Sequence, residues 1–143
     1  MATGTLGNVA RTLSFQAMHY LQFTINYNDA SVSSGTSVPI LLPKGAMIAH
    51  TDVFVQTAFN AGTSNAITVG TNASSYNNLV ASTDVVAGTA SKGTKSLHGM
   101  DLGKLAADSQ IFYTYAQTGT AATAGKAYVT VAYYLDNDLN QGT

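Results

Sequence analysis

Residues 12–27 alternate with a period of two. The odd positions Leu13, Phe15, Ala17, His19, Leu21, Phe23, Ile25 and Tyr27 are mostly apolar, whereas the even ones are Thr, Ser, Gln, Met, Tyr, Gln, Thr and Asn. Successive side chains of an extended chain point to opposite faces, so this pattern specifies a strand, or a bent pair of strands, with one face in a core. His19 is expected to point inward. No segment of the chain reads as a helix of ten residues.

The stretch 37–70, SVPILLPKGAMIAHTDVFVQTAFNAGTSNAITVG, carries the same message with turn punctuation. Its apolar run 38–42 stops at Pro43, whose ring fixes φ and removes a ladder donor, and Lys44-Gly45 completes a turn. A long strand follows over 47–59, dominated by Ile48, Val53, Phe54, Val55 and Phe59. Asn60-Ala61-Gly62 ends it before a further strand at 66–70. The spacing predicts hairpins, with this stretch as the centre of the fold.

The remaining chain fills in around it. Residues 28–35 form a turn-rich connection, and 71–82 carry one helical turn at 76–80. Residues 83–86 and 94–98 read as short strands, and 102–107 as a single turn. Strong strands are expected at 110–116 and 126–135, joined by a hairpin tip at 117–125. About eight strands with short spacers point to an all-β, antiparallel two-sheet β-sandwich that is jelly-roll-like. An immunoglobulin-like sandwich is the runner-up, without the Trp or cysteine pair that would support it. The expected organisation is a flexible arm at 1–11, one domain at 12–135 and a polar tail at 136–143.

Composition narrows the function. At 143 residues the chain suits one core, burying about 68% of its unfolded surface. Charged residues make up 9%, against about 25% in typical domains, and there is no Glu. With a net charge of −1, Arg11 and five scattered lysines form no basic stripe, so nucleic acid is not an expected partner. The absence of cysteine excludes disulfides and thiol-bound metal. No signal peptide and no 20-residue apolar span is apparent, so a soluble protein without a membrane partner is expected.

Catalytic patterns are equally sparse. His50 and Asp52 lie two apart on an expected strand and share a face, but no third ligand is near, so a polar pair is expected rather than a metal site. His19 and His98 fall on other strands. The H-x-H pair followed by Glu that marks metal-binding cupins does not occur, nor does G-x-S-x-G. The Gly-rich pieces 88–93 and 119–125 lack the strand–loop–helix context of a phosphate cradle. The seven acids are all aspartates, most in turn-like or terminal contexts. No catalytic residue, cofactor site or metal site is assigned, and the chain is not expected to be an enzyme. The tyrosines are more informative. Tyr113 and Tyr115 share one strand face, as do Tyr128 and Tyr134. Packing explains such pairs, while Tyr76, Tyr113, Tyr115, Tyr128, Tyr133 and Tyr134 also suit a protein contact or the stacking face of a glycan.

Several segments carry a resemblance: LPKGAMI at 42–48, TAFNAG at 57–62, AITVGT at 66–71, SSYNNLVASTDV at 74–85 and the closing KAYVTVAYYL at 126–135. Together they resemble head decoration, or cement, proteins of tailed phages, mainly over residues 38–86. The resemblance implies a jelly roll on the capsid exterior, made in the host cytoplasm, that ties neighbouring major capsid protein subunits together. It implies self-association as a homodimer or homotrimer, closed symmetry being the usual solution. The arm, through Thr3, Leu6, Val9 and Arg11, is the expected extension of the contact, with Tyr76, Tyr128 and Tyr134 on the domain. The alternative is a receptor- or glycan-binding module of a phage tail or fibre, using the tyrosines and the Asn-rich loops.

Overall fold

Every strand of this chain pairs with a strand far from it in sequence. The computed structural model describes residues 18–29, 32–96 and 102–135, with Ser37 and residues 91–96 described by backbone alone. Within these lie seven strands: β1 (His19–Asn26), β2 (Thr36–Leu42), β3 (Ala46–Thr57), β4 (Ser64–Gly70), β5 (Ser91–Ser96), β6 (Ser109–Thr118) and β7 (Lys126–Leu135). A 3-10 turn at Val32–Ser34 precedes β2. The arm at 1–11, the tail at 136–143 and His98 lie outside the described residues.

One sheet has the order β1-β7-β3-β5 and the other β2-β6-β4, with all pairs antiparallel. The chain therefore changes sheet at every connection. The pairing is nested: β1 with β7, β2 with β6, and β3 with β5. β4 faces β6 on one side, and on the other, among the described residues, it meets only Val80, through the Val69–Val80 bridge. The crossover segments also meet one another. Asn60 Oδ1 accepts from the backbone N–H groups of Thr123 and Ala124 at 2.8 and 2.9 Å. Gly45 donates to the Leu105 carbonyl at 2.8 Å, and Asp108 accepts from the Lys44 N–H at 2.8 Å.

Both sheets contribute to a single core. Leu21 and Ile25 of β1, Ala127, Val129 and Val131 of β7, and Val53 and Val55 of β3 meet Ile67 and Val69 of β4, Ile111, Tyr113 and Tyr115 of β6, and Val38 and Leu42 of β2. Aromatic contacts link the layers: Phe23 stacks on Tyr113 at 5.4 Å, and Phe59, from a crossover, packs on Tyr115 at 4.5 Å. Gly125 is required here, because a β-carbon at that position would overlap the Phe59 ring.

A bulge resets the phase of β3. Ile48 pairs with Tyr133 and His50 with Ala132, so Ala49 has no partner of its own. Even positions Ala46 and Ile48 face the core before the bulge, and odd positions Thr51, Val53 and Val55 face it afterwards. An extra residue in one strand has this effect because the side-chain period is two. His50, Asp52 and Phe54 are thereby placed on the outer face.

The structure corrects several expectations. Among the described residues seven strands form where about eight are expected. The segment 83–86 is a turn rather than a strand, and its Asp84 Oδ2 accepts from the Ala81 N–H at 2.8 Å. The turn at 76–80 forms earlier, with Tyr76 N–H donating to the Asn72 carbonyl at 2.9 Å. Within 102–107, Lys104 bridges to Met47 in place of a free-standing turn. No hairpin forms at 43–45, 60–62 or 117–125, since the flanking strands belong to different sheets. β3, from the 37–70 stretch, is interior to its sheet as expected, between β7 and β5, and shares that position with β7.

Thr51 is fully buried on the core side, 0% exposed, and its Oγ1 has no hydrogen-bond partner among the described residues. A buried hydroxyl without a partner bears its desolvation cost uncompensated. Thr51→Val keeps the β-branched shape and is expected to stabilise the fold by about 1 kcal/mol, read as a higher midpoint in urea unfolding with an unchanged slope.

Candidate interaction surface

The outer face of the four-stranded sheet is built in register rows. Tyr20, Ala132 and His50 form one row, Gln22, Thr130 and Asp52 the next, and Thr24, Tyr128 and Phe54 the third. Tyr134 continues the face along β7 and is Met47's register partner. Apart from Ala132, the outer positions of β1 and β7 are polar or aromatic, alternating with core residues. Tyr20 is 64% exposed, Phe54 46% and Tyr134 36%. Phe54 and Tyr128 stack with their rings 6.5 Å apart and nearly parallel, at 11°. Lys126 Nζ lies 5.1 Å from the centre of the Tyr128 ring, a cation–π contact that keeps the charge beside the aromatic pair.

Polar groups on this face are few and local. Gln22 Nε2 donates to Thr130 Oγ1 at 3.2 Å. His50 Nε2 stands 3.7 Å from Asp52 Oδ2, so the pair shares a face as the sequence spacing requires, while Asp52 Oδ1 is buried without a partner among the described residues. His19 points to the opposite, inner side, its ring 5.5 Å from that of Tyr133 and its Nε2 buried without a partner. The histidines therefore do not converge. Among the described residues no three His, Cys, Asp or Glu side chains gather as metal ligands.

The three tyrosines proposed from sequence separate. Tyr128 and Tyr134 lie together on the outer face, joined by Tyr20 and Phe54, which the sequence reading did not single out. The alternation over 12–27 places Tyr20 on the non-core side, and that was the signal available. Phe54 was masked by the bulge. Tyr76 lies elsewhere, on the three-stranded sheet, its ring 4.9 Å from Phe112. It adopts φ +47°, and a β-carbon on Gly35, itself at φ +94°, would come within 2.5 Å of its ring. A left-handed non-glycine residue held this way is fixed by packing. Thr3, Leu6, Val9 and Arg11 lie outside the described residues.

The Asn-rich segment is occupied with its own fold. Asn72 Oδ1 accepts from the N–H groups of Asn77 and Asn78, Asn72 Nδ2 donates to Asn77 Oδ1, and Asn78 bonds both the N–H and the hydroxyl of Thr71. These amides hold a loop shut, which leaves them poorly placed to receive sugar hydroxyls.

Tyr113 and Tyr115 are core residues with polar tips. Tyr115 donates to Asn65 Oδ1 at 2.6 Å, and burial raises its pKa. Tyr113 donates to Asp29 Oδ2 at 3.0 Å, and the same carboxylate accepts from the Asn26 N–H at 2.8 Å. Burial first, and then the Asp29 hydrogen bond and charge, push the Tyr113 phenol up to about 12. A pKa raised in the folded state means that the unfolded chain loses its proton first. The stabilisation is complete below the unfolded value, about 10, and disappears as pH rises towards 12. Wild-type protein should accordingly lose stability across this alkaline window. Tyr113→Phe should be less stable at pH 7 by about 1 kcal/mol and show a shallower alkaline decline, measured by urea unfolding at several pH values.

No protein-family profile and no curated protein matches the sequence. Solved structures do share its fold. A chain of the cyanophage Pam1 capsid asymmetric unit aligns with a TM-score of 0.64 at 20% identity, over 90% of this chain and 92% of that one. A chain of the acidic stable capsid structure of Helicobacter pylori bacteriophage KHP30 aligns with a TM-score of 0.59 at 13% identity, over 82% of this chain and 87% of that one.

Proposed function

We propose that this chain is a structural virion protein, a jelly-roll-like β-sandwich that binds the outer surface of a phage capsid and cements neighbouring major capsid subunits. The observation that carries this reading is the fold shared, nearly end to end, with chains of two phage capsids. The nested pairing of β1–β7, β2–β6 and β3–β5 suits a jelly roll, whose eight strands form two Greek keys. The missing eighth strand falls between β4 and β5, where Val80 alone bridges to β4.

The outer face of the four-stranded sheet is the attachment surface in this reading. Tyr20, Phe54, Tyr128 and Tyr134 supply amphipathic contact area with little charge to desolvate, the residue types favoured at the centre of protein interfaces. Attachment through such a face depends weakly on salt, because there are few ion pairs to screen. Many copies on one shell make a weak single contact sufficient. The arm at 1–11, with Thr3, Leu6, Val9 and Arg11, extends the contact onto a neighbouring subunit, and the protein self-associates as a homodimer or homotrimer. It is made in the host cytoplasm and ends on the capsid exterior.

Purified protein added to shells lacking it should co-sediment with them and raise their melting temperature. Binding to no capsid sinks the proposal. Tyr128→Ala combined with Tyr134→Ala should weaken retention by about tenfold or more, as expected for loss of aromatic interface anchors, while leaving the circular dichroism spectrum intact. Deletion of residues 1–11 should leave a folded domain retained poorly at every salt concentration. Full retention of the truncated protein would remove the arm from the contact.

A further inference from the structure

Four strands lie at the margins of the two sheets, and three of them carry a feature that limits further pairing. β2 contains Pro39, which has no N–H to donate, and its register with β6 shifts between Ser37 and Leu41. β4 already exchanges backbone hydrogen bonds with Val80, from Val69 N–H to the Val80 carbonyl at 3.0 Å and back at 2.9 Å. β5 is six residues long and carries Lys92 and Lys95. Proline, bulges, short length and lysine are the devices by which natural sheets keep their margins from templating another strand. β1 has none of them.

The eight residues HYLQFTIN contain no Pro, Gly, Lys, Arg, Asp or Glu, and among the described residues nothing pairs with the side of β1 away from β7. Its side chains leave apolar surface beside that open edge: Tyr20 is largely exposed, and Phe23, which packs on the core, is only partly covered.

We infer that β1 is a self-association edge, pairing antiparallel with β1 of a second copy across a two-fold axis at Gln22. Each of the other margins carries such a feature, β4 at Val69 alone, so β1 is the margin best suited to edge-to-edge pairing of two copies. Antiparallel self-pairing then has restricted registers. Directly opposite residues lie on the same face of a sheet, so the two sheets keep their core sides together only if the paired numbers sum to an even value. Registers centred on Gln22 and on Phe23 each pair seven residues of β1; the one centred on Gln22 puts an exposed amide rather than the core-side Phe23 on the axis, and sets Leu21 opposite Phe23 on the core side, Tyr20 opposite Thr24 on the outer side, and Gln22 opposite itself. Each pairing is chemically self-consistent. Aromatic and β-branched residues pair favourably across strands, and two glutamine amides can exchange donor and acceptor. No like charges are brought together. The result is a continuous eight-stranded sheet with order β5-β3-β7-β1 in one copy, continuing as β1-β7-β3-β5 in its partner. The outer faces lie on the same side, so the two aromatic surfaces form one. An isologous contact of this kind closes at two copies, which selects the homodimer over the homotrimer.

The inference rests on self-association as proposed above but needs no capsid, so the two readings fail separately. In sedimentation velocity, wild-type protein should run at twice the 14.8 kDa chain mass. Gln22→Lys, which places two ammonium groups across the axis at an exposed position, should run as a monomer with a wild-type circular dichroism spectrum. Mixing it with Gln22→Glu should restore the double mass. The chain has no cysteine, so mild oxidation of Gln22→Cys should yield a covalent dimer, while Thr83→Cys, exposed on a loop, should not. A wild-type monomer up to the solubility limit overturns the inference, as does a Gln22→Lys protein that keeps the double mass. If Gln22→Lys does not fold, the Gln22→Cys protein decides alone, and its failure to cross-link while folded is also fatal. A monomer whose capsid binding is lost in Gln22→Lys would assign the edge to a capsid subunit instead and equally overturn self-pairing.

Discussion

The last strand holds the four-stranded sheet together. β7 hydrogen-bonds β1 along all eight residues of that strand and β3 along most of its length, while Val129 and Val131 project from it into the core. β1 and β3 have no direct pairing with each other, so without β7 neither has its principal partner. Each of the other pairs is likewise long in sequence. Loop-closure entropy must be met before such pairs contribute, which makes the topology a slow and cooperative one. The single core explains why this is tolerated: once β7 is in place, its residues contact both sheets' inward side chains at once.

Local strand identity was legible from residue order, because period-two alternation and turn residues act over a few positions. β7 occupies 126–135 as the run KAYVTVAYYL indicates, and His19 faces inward as its odd position requires. Partnering was not legible. Pro43-Lys44-Gly45 and Asn60-Ala61-Gly62 are competent turn sequences, and adjacent strands usually neighbour one another. Here those same residues steer the chain from one sheet to the other. Nothing in a single sequence distinguishes a turn that reverses a chain within a sheet from one that carries it across the core. The loss of β4's outer neighbour was also invisible, since Leu79 and Val80 are apolar enough to suggest a structured segment but are held by one bridge.

The aromatic surface shows the same division. Tyr128 and Tyr134 share a face by simple parity, and the structure keeps them together. Tyr20 and Phe54 join them only through register, which sets Thr24, Tyr128 and Phe54 in one row. Phe54 also needs the phase change at Ala49: without that extra residue, the parity set by Ala46 and Ile48 would turn it into the core. Tyr76 has the same side chain but sits in a turn-forming segment, and it is drawn down onto Phe112 over Gly35. A residue type indicates what a surface could do, while the backbone decides whether the side chain is offered to a partner or retained by the fold.

The antiparallel pairing of β1 and β7 sets His19 opposite Tyr133 and Asn26 opposite Lys126. The chain thus enters β1 and leaves β7 at the same end of the sheet. A load applied through those two points acts across the hydrogen bonds in sequence, peeling the strands apart pair by pair, whereas a load along the strands would have to break the whole ladder together. The fold is mechanically weak along the line joining the start of β1 to the end of β7 and strong along its strands. A protein of this build resists tension when it is gripped by its faces and yields when it is pulled apart at those two strand ends.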